Sequence, residues 1–298
     1  MTKGQKLSIA AILCAPIVVG ALVSAITSRQ AASAFSPLQS KKIGLVEVAD
    51  VIYSSDEYVR QLRALREDDG IAGVLLRVDS PGGAVAPSQE IYEEVMKFRD
   101  SSKPVVVSMG NLAASGGYYI SSPAFKIFAN PGSVTGSIGV IMSFPHYYKL
   151  LSKIGVDIEV LKAGEYKDVG NPNRTMKPKE KAYLQSMLDD IHSQFIEDVS
   201  FARGIDEDSL IPIADGRIFT GRQAIDVGLI DTLGSYEDAV SYIKDYLKVP
   251  QKSTLVEKKP PQSWLKRLLY EEVFDKIPLL KRFSSPSGTY FLFDKSMY

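Results

Sequence analysis

The sequence predicts an α/β domain with a largely parallel sheet, and a transmembrane helix ahead of it. Short apolar segments alternate with amphipathic ones from residue 42 to residue 250, which is typical of such domains. Residues 7–26 form an apolar run of the length that crosses a bilayer. The 298 residues suffice for one large domain or two small ones.

The apolar run at residues 7–26 has two interpretations. Twenty helical residues span about 30 Å, the hydrocarbon thickness of a bilayer, so the run can be a retained signal-anchor helix. It can also be a signal peptide that is cleaved at Ala32-Ser33-Ala34. The run is longer than the usual core of a signal peptide, and Arg29 separates it from the cleavage motif. We therefore favour the anchor.

The charges around this run set the predicted orientation. Lys3 and Lys6 favour a cytoplasmic N-terminus, although Arg29, Lys41 and Lys42 weaken the asymmetry. We predict a single-pass protein of the cell membrane whose folded domain lies on the extracytoplasmic side. The predicted parts are a cytoplasmic N-terminus (residues 1–6), a transmembrane anchor (7–27), a linker (28–41), one folded domain (42–250) and a C-terminal tail (251–298).

Short apolar runs bounded by turn residues predict the strands of the sheet. They lie at residues 43–48, 71–78, 105–108, 125–128, 138–143, 158–161 and 229–231. Because helices separate many of these strands, we expect a largely parallel sheet.

Amphipathic segments predict the helices, at residues 56–67, 88–99, 115–121, 147–154, 178–201 and 235–247. Ser54 or Ser55 is placed to cap the first helix, and Thr220 to cap a further one that starts there. In the longest helix, apolar residues recur three and four positions apart, namely Leu184, Met187, Leu188, Ile191, Phe195 and Val199. In the tail, residues 264–277 predict an amphipathic helix. Packing on the same or a neighbouring subunit is the default, and the alternatives are a helix on the membrane surface or a partly disordered segment.

The composition excludes several classes of function. Lys plus Arg and Asp plus Glu both number 35, and no basic tract suggests nucleic acid, so we predict no nucleic-acid partner. Cys14 is the only cysteine, which excludes an intramolecular disulfide and a thiolate metal site. With only two histidines and no Cys/His cluster, we predict no metal and no cofactor.

Three stretches carry the candidate chemistry. Residues 79–83 end in Gly82 and Gly83, whose backbone can turn its N–H groups toward a substrate carbonyl. Ser115 follows a predicted strand, and the N–H of Gly116 next to it is a natural second donor to an oxyanion. Residues 164–168, expected just after a strand, offer the amine of Lys167 for activating a hydroxyl.

A serine hydroxyl is a poor nucleophile at neutral pH and needs a base. His146 is expected in a capping or surface role, and His192 as a half-buried structural residue beside the apolar stripe. An amine is therefore the base that we favour, because desolvation can lower the pKa of a lysine toward the working pH. The residues alone do not single out Lys167 among the many lysines.

Four motifs in order resemble the signal peptide peptidase A family, which contains membrane-anchored serine peptidases with a Ser–Lys dyad. They are Asp79–Gly83, Ala114–Tyr119, Thr135–Val140 and Gly164–Lys167, and the resemblance covers residues 42–247. The chain resembles the short, single-repeat form of the family. The resemblance implies a ClpP/crotonase-like fold, a spiral of β-β-α units.

The resemblance also implies roles for individual residues. Ser115 would be the nucleophile and Lys167 the base, with Gly83 and Gly116 as oxyanion donors. The family often has Asn where this chain has Asp79, and a carboxylate there could alter substrate preference. Asp168 and Asn171 are candidates for orienting the lysine, although ordinary loop polarity is the simpler interpretation.

The function that follows is a membrane-anchored serine endopeptidase that cleaves remnant signal peptides and other apolar or unfolded polypeptides. The resemblance also implies a homo-oligomeric ring in which one subunit supplies the serine and its neighbour the lysine. Two alternatives belong to other classes of function. One is a catalytically silent membrane scaffold, and the other is a crotonase-type enzyme that acts on acyl-CoA.

Overall fold

The computed structural model describes residues 41–258 and the backbone of residues 290–292. From Lys42 onward, the described residues belong to one compact unit. The predicted anchor at residues 7–27, most of the linker at 28–41 and the amphipathic helix at 264–277 lie outside the described residues. Within the described part, no helix is long and apolar enough to cross a bilayer.

Ten strands are seen in this part of the chain: β1 (Lys42–Ala49), β2 (Ile71–Ser80), β3 (Gly82–Ala84), β4 (Val105–Ala114), β5 (Lys126–Ala129), β6 (Val134–Gly136), β7 (Ile218–Thr220), β8 (Thr232–Leu233), β9 (Val256–Glu257) and β10 (Tyr290–Leu292). Eight α-helices accompany them in the described residues: α1 (Asp56–Glu67), α2 (Val85–Met96), α3 (Gly116–Ser121), α4 (Tyr148–Lys153), α5 (Pro178–Arg203), α6 (Glu207–Leu210), α7 (Gly221–Asp226) and α8 (Tyr236–Tyr246).

The main sheet is largely parallel, as predicted. Its strand order is β7-β6-β4-β2-β1-β9, and β5 pairs with β4 and with β8. Only the β6–β7 pair is antiparallel among the described strands of this sheet. The structure therefore confirms a mixed α/β domain built on a parallel sheet.

Both faces of the central strands are covered, which explains their continuous apolar sequences. In β2, Val74, Leu75 and Leu76 are all fully buried. Val74 and Leu76 belong to the larger apolar cluster, whereas Leu75 packs in a second cluster with Ala239 and Ile243 of α8. A run without polar alternation is the expected signature of a strand buried on two sides.

Several predicted elements agree closely with the structure. Helix α1 spans the predicted residues, and α5 runs from Pro178 to a left-handed Gly204 (φ 64°) that ends it. Thr220 caps α7, since its hydroxyl accepts a hydrogen bond from the N–H of Gln223. Ser55 precedes α1 without a side-chain cap, because its hydroxyl donates instead to Glu90.

Two predicted strands were wrong. At residues 138–143, the sheet strand is the earlier β6, which ends at Gly136 because Gly136 (φ 77°) and Ser137 (φ 53°) turn the chain away. Residues 158–161 form no strand, and Leu161 there is 91% exposed. Their β-branched residues had suggested a strand, but no strand among the described residues pairs with them.

Smaller shifts affect three further elements. Helix α2 begins at Val85 and ends at Met96, three residues before each end of the predicted helix. Strand β4 continues beyond the predicted residue 108 to Ala114. The strand expected at 229–231 forms at Thr232–Leu233 instead.

Candidate active site

Ser115 lies between the last residue of β4 and the first residue of α3. Its backbone has φ 53° and ψ −119°, a conformation that costs energy in a residue with a side chain. Two hydrogen bonds hold it there. Its N–H donates to the carbonyl of Gly136 (2.7 Å), and its carbonyl accepts from the N–H of Tyr119 (2.8 Å). Such strain is often found at functional sites, and here it fixes a nearly buried serine at the end of a central strand.

The double-glycine turn after β2 is held from within and from a neighbouring segment. The Ser80 hydroxyl donates to the carbonyl of Asp50 and accepts from the N–H of Gly82 (3.1 Å). Gly82 has φ 98°, which glycine adopts without strain. Beyond the turn, the N–H of Ile52 donates to the Gly82 carbonyl (2.9 Å), and the Ile52 carbonyl accepts from Ala84 (2.8 Å).

The turn packs directly against the residue that follows Ser115. A Cβ atom placed on Gly116 would lie 3.1 Å from the backbone nitrogen of Gly83 and 2.7 Å from the Ser88 hydroxyl. A Cβ atom on Gly83 would lie 2.6 Å from the carbonyl carbon of Ile52. Position 83 therefore requires glycine, and a side chain at position 116 would force its neighbours to shift. The structure thus brings Ser115, Gly116 and Gly83 together.

Lys167 is located in a separate, exposed part of the chain. The predicted strand ahead of it is absent, and it lies in a turn in which its N–H donates to the carbonyl of Gly164 (3.3 Å). Within the described residues, its ammonium group makes no hydrogen bond or ion pair with Ser115. One copy of the chain thus holds the serine and both glycines together, but it does not join the lysine to them.

An ion-pair network fixes the turn that carries Lys167. Arg174 donates from Nε to the Asp168 carboxylate (2.8 Å) and from Nη2 to the Asp168 carbonyl (3.0 Å). Both of its Nη atoms donate to Glu180 (2.8 Å each), whose side chain is fully buried at the start of α5. Lys162 forms a further pair with Asp168. The backbone beside Lys167 is thereby tied to the longest helix.

The same contacts perturb the two carboxylates. Hydrogen bonds from Arg174 and then Lys162 hold the pKa of Asp168 well below its usual value. Hydrogen bonds from Arg174 and from the N–H of Lys177 lower the pKa of Glu180 to about 2. Both groups stay ionised near neutral pH. Asp168 therefore already has two cationic partners, neither of which is Lys167.

Comparisons with known proteins show which family this chain resembles. The family model described as Peptidase family S49 matches residues 97–250, and the Clp protease model matches residues 28–131. A putative protease of Synechocystis is 42% identical over 207 residues, which cover 69% of this chain and 74% of that protein. A putative signal peptide peptidase of Enterococcus faecium is 38% identical over 207 residues, covering 70% of this chain and 60% of that protein.

The chain belongs to peptidase family S49. It also resembles a chloroplastic serine protease of Arabidopsis thaliana, with 33% identity over 218 residues that cover 72% of this chain and 32% of that protein. These matches confirm the resemblance to the signal peptide peptidase A family, and they confirm that the chain is a serine peptidase. The Clp protease match is consistent with its parallel sheet.

Asp79, the first residue of the turn, has a local structural role in this S49 peptidase. Its carboxylate accepts a hydrogen bond from the N–H of Leu112 (3.0 Å). A Cβ atom on Gly110 would lie 2.7 Å from the Asp79 Cγ, so the carboxylate packs closely against β4. The pairing of β2 with β4 shifts register at this point, between Val78 and Ser80. The carboxylate thus helps to hold the irregular end of β4 that leads to Ser115.

The sequence analysis missed the residues that hold α3 behind Ser115. The Tyr118 hydroxyl donates to the carbonyl of Leu229 (3.1 Å), and the Tyr119 hydroxyl donates to Asp198 on α5. The Tyr119 ring also packs edge-on against Phe195, with 4.8 Å between the ring centres. Burial raises the pKa of both tyrosines well above the usual range, so they remain neutral donors. The sequence signal that could have indicated these contacts is the pair of adjacent tyrosines, Tyr118 and Tyr119, that follows Ser115.

The two histidines take the expected structural positions. His192 is half-buried, and its Nε2 lies 2.7 Å from the carbonyl of Ala214. His146 is exposed, with its ring near Tyr148. Among the described residues, no cluster of three or more metal-ligating side chains is present.

Proposed function

We propose that this chain is a membrane-anchored serine endopeptidase with a Ser115–Lys167 dyad. The observation that carries the proposal is the strained Ser115, held at the end of β4 beside the nitrogens of Gly116 and Gly83. The proposed architecture is a ClpP/crotonase-like spiral of β-β-α units. The proposed anchor is the apolar run at residues 7–27, with the folded domain on the extracytoplasmic side of the cell membrane.

In the proposed mechanism, Ser115 is the nucleophile, Lys167 transfers the protons, and Gly83 and Gly116 bind the oxyanion. A neutral Lys167 amine accepts the proton of the Ser115 hydroxyl as the oxygen attacks the carbonyl carbon of a peptide bond. The N–H groups of Gly83 and Gly116 bind the resulting oxyanion, a contribution that can be worth about 3 kcal/mol for one donor. The protonated lysine then gives its proton to the leaving amine. A water molecule, deprotonated by the same lysine, hydrolyses the acyl-enzyme.

We propose that the site is completed between two copies of the chain in a homo-oligomeric ring. Ser115 is nearly buried, whereas Lys167 lies on an exposed segment. The segment also exposes large apolar side chains, among them Leu150 (59% exposed), Ile154 (64%) and Leu161 (91%). Exposed apolar groups of this kind mark protein interfaces, and a neighbouring copy would cover them while receiving the lysine.

The proposed substrates are remnant signal peptides and other apolar or unfolded polypeptides. The relative from Enterococcus faecium is named a putative signal peptide peptidase, which supports this class. An anchor in the membrane would place the site where apolar remnants remain after secretion. An extended chain is also the form that a serine at a strand end accepts most readily, because the substrate backbone can pair with the neighbouring strand.

The proposal is tested with two inactive variants, Ser115→Ala and Lys167→Ala, and labelled casein as an unfolded substrate. Each variant alone should be inactive. If they exchange subunits, an equal mixture should regain about one quarter of the parent rate, because one neighbouring pair in four combines an intact serine with an intact lysine. A mixture that stays inactive would place both residues in one chain. Near-normal hydrolysis by Lys167→Ala would exclude the dyad.

Labelling by a fluorophosphonate probe tests the nucleophile independently. The parent chain should be labelled at Ser115, as located by mass spectrometry of the peptides. Labelling at another serine would show that this other serine, and not Ser115, is the nucleophile. If the folded, assembled chain is not labelled at all, the scaffold alternative is favoured over a peptidase.

A further inference from the structure

Each proposed oxyanion donor lies at or just ahead of the start of a helix. Gly83 is two residues before Val85, where α2 begins, and Gly116 is the first residue of α3. The two helices meet near these ends, since a Cβ atom on Gly116 would lie 2.7 Å from the hydroxyl of Ser88 in α2. The separation of the two donor N–H groups therefore depends on how α2 and α3 are held against each other.

A cluster of polar side chains joins both helices to α5. At its centre, the hydroxyl of Tyr119 in α3 donates a hydrogen bond to the Asp198 carboxylate of α5, and the Gln89 side chain of α2 also bonds to this hydroxyl. The Gln89 amide donates to the Gln194 side chain (3.1 Å), which lies one turn of α5 before Asp198. The Tyr92 hydroxyl of α2 donates to the backbone carbonyl of Asp198 (2.9 Å). The side chains of Gln89, Tyr119, Gln194 and Asp198 are called the Tyr119 cluster below.

Tyr119 connects this cluster to the start of α3. Its backbone N–H donates to the Ser115 carbonyl (2.8 Å), which is one of the two bonds that hold the strained serine. Its ring is 1% exposed and packs on Tyr92 and Phe195, with 4.7 and 4.8 Å between the ring centres. A shift of the hydroxyl end of Tyr119 would therefore be passed to Ser115 and to Gly116 beside it.

Asp198 is a costly hydrogen-bond partner for Tyr119. Its carboxylate is half-buried, and among the described residues no lysine or arginine forms an ion pair with it. Burial raises the pKa of Asp198, and the hydrogen bond from Tyr119 acts in the opposite direction. Burying a carboxylate costs free energy that an apolar pair of similar shape would avoid. A costly group that makes a directed bond to α3 indicates a role in placing that helix.

We propose that the Tyr119 cluster positions the catalytic groups of this peptidase, by setting the spacing between the oxyanion donors Gly83 and Gly116. The inference rests on the proposed function, in which these two glycines bind the oxyanion. Because Tyr119 is buried, it acts through the start of α3 and not on the substrate. A displacement of about 1 Å can lower a rate as much as a hundredfold. The cluster should therefore affect bond cleavage more than substrate binding.

The first experiment separates the two kinetic constants of casein hydrolysis in the full-length chain. Tyr119→Phe keeps the ring but removes the bond to Asp198, and Asp198→Ala removes the acceptor. Both should lower kcat roughly tenfold and leave KM within about twofold of the parent value. Asp198→Asn should keep at least about half of the parent kcat, because its amide oxygen still accepts the Tyr119 hydrogen bond. Glu197→Ala, at the exposed neighbouring position of α5, is the matched control and should keep both parent values.

Three results of this experiment would overturn the proposal. They are an unchanged kcat in both Tyr119→Phe and Asp198→Ala, a rise of KM without a fall of kcat, and a loss in Asp198→Asn equal to that in Asp198→Ala. The urea midpoint of every variant is measured as well. Rates are compared at a temperature at which each variant is folded, so that a lower stability is not counted as a lower kcat.

The second experiment measures the reactivity of the serine with a fluorophosphonate probe, whose phosphoryl oxygen takes the place of the oxyanion. The parent and Glu197→Ala should be labelled at Ser115 at equal rates, and Tyr119→Phe roughly tenfold more slowly. Equal labelling of the parent and Tyr119→Phe at Ser115 would overturn this inference and leave the proposed function intact. Labelling of the parent at another serine would instead refute the proposed function, and this inference with it.

Discussion

The segment around Ser115 and the segment around Lys167 are built in opposite ways. Ser115 lies at the end of a central strand, and it is fixed by backbone hydrogen bonds and by glycines packed against each other. Lys167 lies in an exposed turn that is fixed by charged side chains, above all by Arg174. The half of the proposed site around Ser115 is held by backbone contacts within a single chain, whereas the half around Lys167 depends on a network of charged side chains near the surface.

This difference indicates how the two halves are made reactive. The proposed oxyanion donors must be positioned accurately before the substrate arrives, because preorganised dipoles supply much of the stabilisation of the transition state. The buried ends of the central strands β2 and β4 provide that accuracy. In the proposed dyad, the lysine only needs to reach the serine, and an exposed segment would deliver it in the proposed arrangement with a second copy. Each half can therefore be damaged separately.

The largest effect is expected from Gly83→Ala. The new Cβ would lie 2.6 Å from the Ile52 carbonyl carbon, so the turn must move and carry the oxyanion donor away. We expect at least a hundredfold loss of casein hydrolysis, as for the removal of an oxyanion donor. Gly132→Ala is the matched control, because nothing lies within 4 Å of its added Cβ. Near-parent activity in Gly83→Ala would show that this turn is not part of the site.

A smaller effect is expected from Arg174→Ala, and only in the chain that donates the lysine. The substitution removes the bonds to Asp168 and leaves Glu180 buried without its guanidinium partner. In the mixing experiment, Ser115→Ala/Arg174→Ala with Lys167→Ala should regain at least tenfold less activity than the pair without the Arg174 change. Lys167→Ala/Arg174→Ala with Ser115→Ala should lose nothing.

Arg217→Ala provides the control for this second prediction. Arg217 also forms an ion pair, with Asp215, but the pair is exposed. The Arg217→Ala substitution, placed in either chain of the mixture, should therefore leave the recovered activity unchanged. Equal losses from Arg174→Ala in both chains would indicate general destabilisation, and they would contradict the separation of the site into two halves.

The smallest effect is expected from lowering the pH, which should reduce the stability of the fold through protonation of Glu180. The pKa of Glu180 falls from 4.5 to about 2 on folding, so its ionised form stabilises the fold above pH 4.5. This stabilisation is lost as the pH falls from about 4.5 to about 2. The urea midpoint should therefore drop between pH 5 and pH 3, and by less in Glu180→Gln than in the parent. Glu197→Gln, at an exposed site, should keep the parent's pH dependence. An unchanged pH dependence in Glu180→Gln would refute the assignment.

The elements that the sequence predicted well are those whose local signals agree with their burial. The apolar runs of β1, β2 and β4 lack polar alternation because both faces of these strands are covered. Helix α1 has the expected periodicity, and α5 ends at a glycine that adopts the left-handed conformation. The prediction failed at residues 158–161, where β-branched residues have strand propensity but pair with no strand in the part of the chain that the structure describes.

The sequence by itself determined the sheet, the family and the motifs that place Ser115, Gly116 and Gly83, because turn glycines and apolar periodicity are local signals. Only the tertiary structure decided which distant groups meet. It showed that Gly83 packs against Gly116, that Tyr119 bonds Asp198, and that β10 pairs with β3. These contacts depend on how strands order in space, which no local pattern encodes.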